Sequence, residues 1–187
     1  MFRIDWEELA AIEPTPDEIR AHAAALAVGY NEPNNAPLMG HTAALSADEV
    51  VEHYADMAEE GARQFLLFAD GALAGDADLR GGRDGACEFA FMIGAPSAQG
   101  KGLGTRFATM IYTFAFEELG LSHVYASVIP ENVASKRVFE KLGCTLDTSA
   151  TARAFADEPG DLVMAIDRAT FRRVNRAALA QIRTSKI

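Results

Sequence analysis

Two early stretches place apolar residues at helical spacing. In the first, Ile19, Ala23, Leu26 and Tyr30 form one stripe behind Thr15-Pro16-Asp17-Glu18, with a hydroxyl at the N-cap, proline at the first helical position and Glu at the third. Ser46-Ala47-Asp48-Glu49 repeats the device ahead of Val50, Val51, Tyr54, Met57 and Ala58, and Gly61 ends the run. The chain is therefore expected to open with two capped helices. Between them Asn31 to Leu45 is rich in Asn, Pro and Gly, a connection long enough to suggest a roof over a binding site. From Gln64 the period shortens to that of strands: Phe65 to Phe68, a turn at Asp70-Gly71, Leu73 to Leu79, a turn through Gly81-Gly82-Arg83-Asp84-Gly85, and Cys87 to Ile93. That is an antiparallel meander. A glycine-rich loop follows, then a helix carrying Leu103, Phe107, Met110, Ile111 and Phe114 and closed by Gly120. His123 to Ile129 reads as a strand, Glu131 to Leu142 as a helix capped by Gly143, and Leu162 to Ile166 as a last strand. Phe171, Val174, Ala178 and Ile182 share one helical face, so residues 169–187 are expected to form a basic C-terminal helix packed on the body or on a second copy in a homodimer.

Composition narrows the class. The 187 residues are 49% hydrophobic and 24% charged, with a mean hydropathy of zero, the profile of one globular domain over 1–187. Cys87 and Cys144 lie far apart and outside any zinc or C-x-x-C redox spacing, so no metal is expected and a reducing cytoplasm is favoured. The acidic N-terminus has no apolar stretch of signal-peptide length, and no run approaches about 18 apolar residues, which argues against export or membrane insertion. The net charge of −10 is unevenly placed. Six basic residues and no acid lie from Arg168 to Ile187, which leaves 11 positive against 27 negative charges, or −16, on residues 1–167. Such a body repels nucleic acid and attracts cations.

The most informative stretch is Gln99-Gly100-Lys101-Gly102-Leu103-Gly104-Thr105, between a strand and a helix. A helix N-terminus offers free N–H groups and about half a positive charge, and glycines let a phosphate approach the backbone. The spacing fits neither the dinucleotide pattern nor the P-loop, since Thr105 follows Gly104 directly and Gly102 stands where a P-loop needs Ser or Thr. It does match a Q/R-x-x-G-x-G/A signature, and downstream Asn132-Val133-Ala134-Ser135 with Glu140-Lys141-Leu142-Gly143-Cys144 matches a second. On these two motifs, in order and about thirty residues apart, the chain resembles the GNAT family of N-acetyltransferases over residues 15–168. Phe65 to Leu79 is similar to that family's second and third strands, and Glu88 to Ile93 to its fourth. Within the family the resemblance is nearest to the ribosomal-protein N-terminal and spermidine acetyltransferases.

The resemblance implies an α/β fold with a mixed, mostly antiparallel sheet flanked by helices, and acetyl-CoA as cofactor. It implies cofactor contacts from Gln99, Gly100, Lys101, Gly102, Leu103, Gly104 and Thr105 to the pyrophosphate. It puts Met92 and Ile93 beside the pantetheine arm, where the family's fourth and fifth strands splay, with Asn132, Ser135 and Phe139 along the same arm. Glu88 matches the glutamate that serves as base in some members; its bland alternative is a strand-end charge facing solvent. Phe139 departs from the family's usual tyrosine acid, so water or Ser135 is left to protonate a thiolate that already leaves tolerably. That departure keeps a second reading open, a non-catalytic acyl-CoA sensor. On the acceptor side Asp76 and Asp78 share a strand face with Arg80. A turn symmetric about Arg83 would set Asp78 opposite Glu88 and Asp76 opposite Ala90, and His41 is the one histidine in the long loop. The expected acceptor is a small cationic amine or a peptide N-terminus.

Overall fold

The computed structural model describes residues 1–39, 44–94 and 102–187. The chain opens not with a helix but with a hairpin, β1 (Phe2–Trp6) and β2 (Leu9–Ile12), turned at Glu7 with a φ of 55°. Leu9-Ala10-Ala11 is buried as one apolar run, so it shows no alternation to betray a strand. The two expected capped helices follow as α1 (Pro16–Tyr30) and α2 (Ala47–Glu59), and in both the reciprocal capping-box bonds form. A 3₁₀ turn at Ala36–Met39 lies in the connection between them.

The meander is β3 (Arg63–Ala69), β4 (Ala72–Arg83) and β5 (Ala86–Ile93). Its last turn is tighter than expected. Asp84 and Gly85 take positive φ values of 50° and 74°, the two-residue turn whose twist suits a hairpin. With a register irregularity between Arg80 and Arg83, this sets Arg80 opposite Glu88, Asp78 opposite Ala90 and Asp76 opposite Met92. The expected pairings of Asp78 with Glu88 and Asp76 with Ala90 are thereby corrected. The physical sense is plain, since a guanidinium now faces the carboxylate instead of a like charge.

Beyond the meander come α3 (Leu103–Glu117), β6 (His123–Val128), α4 (Val133–Leu142), β7 (Thr145–Leu146), α5 (Ala150–Arg153) and β8 (Leu162–Asp167). The expected C-terminal helix is not continuous. α6 (Arg168–Val174) stops at Asn175, whose side-chain amide donates to the carbonyls of Leu142 at 2.9 Å and Phe171 at 3.1 Å. One turn, α7 (Arg176–Leu179), precedes β9 (Arg183–Lys186), which pairs antiparallel with β1. Phe171 and Ile182 are buried as expected, whereas Val174 is exposed.

The strands form one sheet in the order β7-β8-β6-β5-β4-β3-β2-β1-β9. Among the described residues β5 and β6 are its one parallel pair, joined through α3. One face packs Leu66 and Met92 against Ile19, Leu26, Tyr30 and Tyr54 of α1 and α2. The other packs Phe65, Leu67 and Phe89 against α3 and Leu142 of α4. α3 is buried from Phe107 to Phe116, on every side, as expected for a helix apolar all round. No helix among the described residues is long and apolar enough to cross a membrane.

Candidate active site

β5 and β6 start as neighbours and then part. Their ladder runs Ala86–His123, Cys87–Val124 and Glu88–Tyr125 and ends there, although β5 continues to Ile93 and β6 to Val128. A parallel pair joined by a helix leaves a crevice beyond the carboxyl ends of its strands, where ligands commonly bind in open α/β sheets. Here the crevice is a cavity of about 410 Å³.

Strand alternation gives the cavity two walls. On the α3 side stand Phe89 and Phe91, with Phe139 of α4 edge-on to both at 6.1 and 6.0 Å. Asn132 and Ser135 continue that wall. Asn132 is the N-cap of α4, its side-chain oxygen accepting from the Ser135 amide at 3.0 Å. On the α1/α2 side stand Asp76, Asp78 and Arg80 of β4 with Ala90 and Met92 of β5. Asp157, Glu158 and Asp161, in the connection between α5 and β8, complete the rim. Sequence reading had missed these three. They sit in a Pro-Gly turn without periodicity, and only the place of β8 beside β6 carries them to the crevice.

The acidic wall is unevenly satisfied. Asp76 is buried, and its Oδ2 accepts from the hydroxyls of Tyr30 and Tyr54, the second at 2.5 Å. Burial pushes its carboxyl up to about 6 against the pull of those two bonds. Glu88 is held by Arg80, which donates to both of its oxygens at 3.2 and 3.1 Å and reaches Asp157 at 3.1 Å. Burial raises the Glu88 carboxyl and the guanidinium draws it back. Asp78 is different. Its side chain is 17% exposed and its Oδ1 is buried without a hydrogen-bond partner, the Arg80 Nε lying 3.8 Å away. Burial and the carboxylates of Asp76 and Glu88 push it up to about 7, although Arg80 opposes them.

The N-terminus of α3 lacks what most other helices here possess. Hydroxyl, amide or carboxylate side chains cap α1, α2, α4, α5 and α6. Gly102 caps α3 with a φ of 78° and no side-chain bond. Among the described residues, no N-cap side chain takes up the first-turn amides. A Cβ on Gly104 would stand 3.2 Å from the Phe91 ring, so glycine is what lets this helix end sit against β5. These features suit an anionic group at the helix end and an extended arm in the crevice, which is the shape of coenzyme A.

The sequence-derived sites divide accordingly. Met92, Asn132, Ser135, Phe139, Asp76 and Asp78 all line the one cavity. Gly102, Leu103, Gly104 and Thr105 form the start of α3. Ile93 ends β5, its carbonyl 3.4 Å from the amide of Asn35. Gln99, Gly100, Lys101 and His41 lie outside the described residues. Cys87 and Cys144 are buried thiols pushed up to about 12 by burial, far from any reactive thiolate.

Residues 5–145 match the family model described as an acetyltransferase (GNAT) domain. No curated protein matches the sequence. Among solved structures, RimJ of Mycobacterium smegmatis with CoA-disulfide aligns with a TM-score of 0.73 at 16% identity, covering 96% of this chain and 94% of that one. The aminoglycoside acetyltransferase AAC(6′)-Ib with paromomycin and acetyl-CoA aligns with a TM-score of 0.75 at 20% identity, covering 89% and 97%. Spermidine N-acetyltransferase of Vibrio cholerae with CoA and spermine gives 0.69 at 22% identity, covering 88% and 98%.

Proposed function

Because this chain belongs to the GNAT acetyltransferase family, we propose that it uses acetyl-CoA to acetylate a small cationic primary amine in the crevice between β5 and β6. The observation that carries this is the cavity's division into an aromatic wall and an acidic one. Bound acetyl-CoA would supply an activated acyl group with a thiolate leaving group. Phe89, Phe91 and Phe139 form a dry wall for the arm, and Asn132 and Ser135 offer polar atoms beside it. The α3 end, with Gly102, Leu103, Gly104 and Thr105, would hold the pyrophosphate, and the sequence motif adds Gln99, Gly100 and Lys101 to that role.

The acceptor side is built for positive charge. Asp76, Asp78, Asp157, Glu158 and Asp161 line it, with Arg80 the one Lys or Arg side chain among the described lining residues. Carboxylates concentrate cationic amines and hold one ammonium while another nitrogen reacts. The neighbours fit this reading: one was solved with an aminoglycoside and another with spermine. A peptide N-terminus, read by the Asn31 to Leu45 connection and His41, is the other acceptor considered.

An amine panel with a thiol-release readout tests the proposal. Di- and polyamines and aminoglycoside-like amines should turn over, and neutral or acidic amines poorly. CoA at a hundredfold excess over its Kd should stabilise the fold by about 2.7 kcal/mol, a melting shift of roughly 5 to 10 °C, and Gly102→Val should abolish that shift. A shift with CoA but no thiol release with any amine would favour the acyl-CoA sensor, the reading to which Phe139 lends support.

A further inference from the structure

The Glu88 carboxylate, the family-like base, is fully engaged by Arg80 and does not line the cavity. We propose that Asp78, one residue pair further along the same sheet face, is the proton acceptor of the reaction, and that Glu88 is a positioning residue that draws the guanidinium of Arg80 into two hydrogen bonds and leaves Asp78 only a 3.8 Å ion pair with it. This rests on the acetyl-transfer reading above.

Three observations favour Asp78. It lines the crevice on the acidic wall, opposite Ala90, beyond the point where the β5–β6 ladder ends. Its Oδ1 has no hydrogen-bond partner, whereas Asp76 has two tyrosine hydroxyls and Glu88 has a two-pronged guanidinium. A base needs a lone pair that no fixed donor occupies, and of Asp76, Asp78 and Glu88 only Asp78 accepts no hydrogen bond from the described residues. The third observation is its surroundings. Asp76 and Arg80 flank it on β4, Gln64 faces it on β3, and Glu88 stands on β5. Tyr30 of α1 and His53 and Tyr54 of α2 line the same corner, with Asp157 across the rim. Burial, opposed by Arg80 and reinforced by the carboxylates of Asp76, Glu88 and Asp157, raises its proton affinity to the range a neutral-pH base requires, about 7.

The step balances simply. An N–H bond of the acceptor ammonium breaks and an O–H bond forms on Asp78, which becomes neutral. The nitrogen lone pair so freed forms the C–N bond to the acetyl carbon as the C–S bond breaks. The second amine proton goes to the departing sulfur, and Asp78 later returns its own to solvent.

The test is kcat at saturating amine from pH 5.5 to 9.5, followed by thiol release. Wild type should rise to a plateau with a midpoint near 7. Asp78→Asn should fall about a hundredfold or more at pH 7, as for loss of a base. It should then climb tenfold per pH unit with no plateau, because only amine already neutral reacts. Asp78→Ser should show the same profile, and both should keep the CoA-induced melting shift, which reports an intact fold and cofactor site. Glu88→Gln should keep a plateau within about tenfold of wild type. Its onset should move to lower pH, because the released Arg80 turns toward Asp78. Asp78→Asn with a wild-type plateau and only a raised KM would make Asp78 a binding group and overturn the proposal. So would loss of the plateau in Glu88→Gln instead. Wild type that binds CoA yet releases no thiol with any amine would overturn the acetyl-transfer reading, and this assignment with it.

Discussion

Replacing Asp78 by Asn should cost activity and increase stability, and the increase should depend on pH in a calculable way. The carboxyl moves from an ordinary 3.8 to about 7 in the folded chain. The folded state therefore holds that proton more tightly than the unfolded state does. The resulting stabilisation is complete below pH 3.8, declines as pH rises, and is gone above about 7. At about 1.4 kcal/mol for each tenfold in proton affinity, keeping Asp78 ionised costs up to about 4 kcal/mol at pH 8 and roughly a third of that at pH 5. Asp76 lies beside it and adds to the push, so the shift belongs partly to the pair and about half of the difference, on the order of 1–2 kcal/mol, is assigned to Asp78. Asn carries no charge and escapes the cost, but its amide must find partners, an offset that is the same at every pH. The gap between the two proteins is thus the quantity to measure. For a chain of this size 1 kcal/mol corresponds to about 2–4 °C in Tm. Melting curves in the absence of ligand should show the Asp78→Asn advantage growing by about 3–6 °C between pH 5 and pH 8. A gap constant to within about 1 °C over that range would refute the reasoning, because it would mean that the folded environment leaves this carboxyl unperturbed.

Gly75→Ala should be among the most damaging single-methyl changes in the sheet. A Cβ there would lie 1.9 Å from the Met92 carbonyl oxygen, backbone against backbone, so β5 must move by about 1 Å; we expect a loss of about 3 kcal/mol or more, read as a Tm drop of about 6–12 °C together with weakened CoA binding. Phe139→Tyr should leave kcat within a few-fold, since the family's phenol is already dispensed with here; a large gain would show that thiolate protonation limits turnover. The KM for the best cationic amine should rise from low to high salt, because exposed charges are screened beyond about 8 Å at physiological ionic strength. A salt-independent KM would reduce the −16 body charge to a solubility feature.

Local chemistry made part of this molecule readable. Thr15 and Ser46 announce their helices because a hydroxyl three residues before a glutamate satisfies two orphan amides at once, whatever the tertiary context. Gly143 ends α4 with a φ of 95°, where side-chain-bearing residues are rare. What failed is what tertiary packing decides. Leu9-Ala10-Ala11-Ile12 is a strand only because β1 and β3 lie on either side of it. Asn175 breaks the C-terminal helix through a bond to Leu142, a residue 33 positions away. The meander register turned on which two residues took positive φ, and Asp84-Gly85 prevailed over a turn centred on Arg83.

The register matters more than a two-residue error suggests, because it decides which carboxylate is free. A strand face repeats every second residue, so the expected and actual pairings both place Asp76, Asp78, Arg80 and Glu88 on one side of the sheet. The sequence alone therefore finds the acidic wall but cannot divide the labour within it. Only the actual register puts the guanidinium of Arg80 opposite Glu88, where it donates to both oxygens, and leaves Asp78 facing the small side chain of Ala90. Topology supplies the rest: Tyr30 and Tyr54 arrive from α1 and α2 to fix Asp76, and Asp157 arrives beside β8 to share Arg80. Each neighbour takes up a charge that would otherwise compete for the acceptor, so Asp78, which accepts no hydrogen bond from the described residues and meets Arg80 only at 3.8 Å, is the carboxylate left least engaged of the three on the sheet face of the crevice.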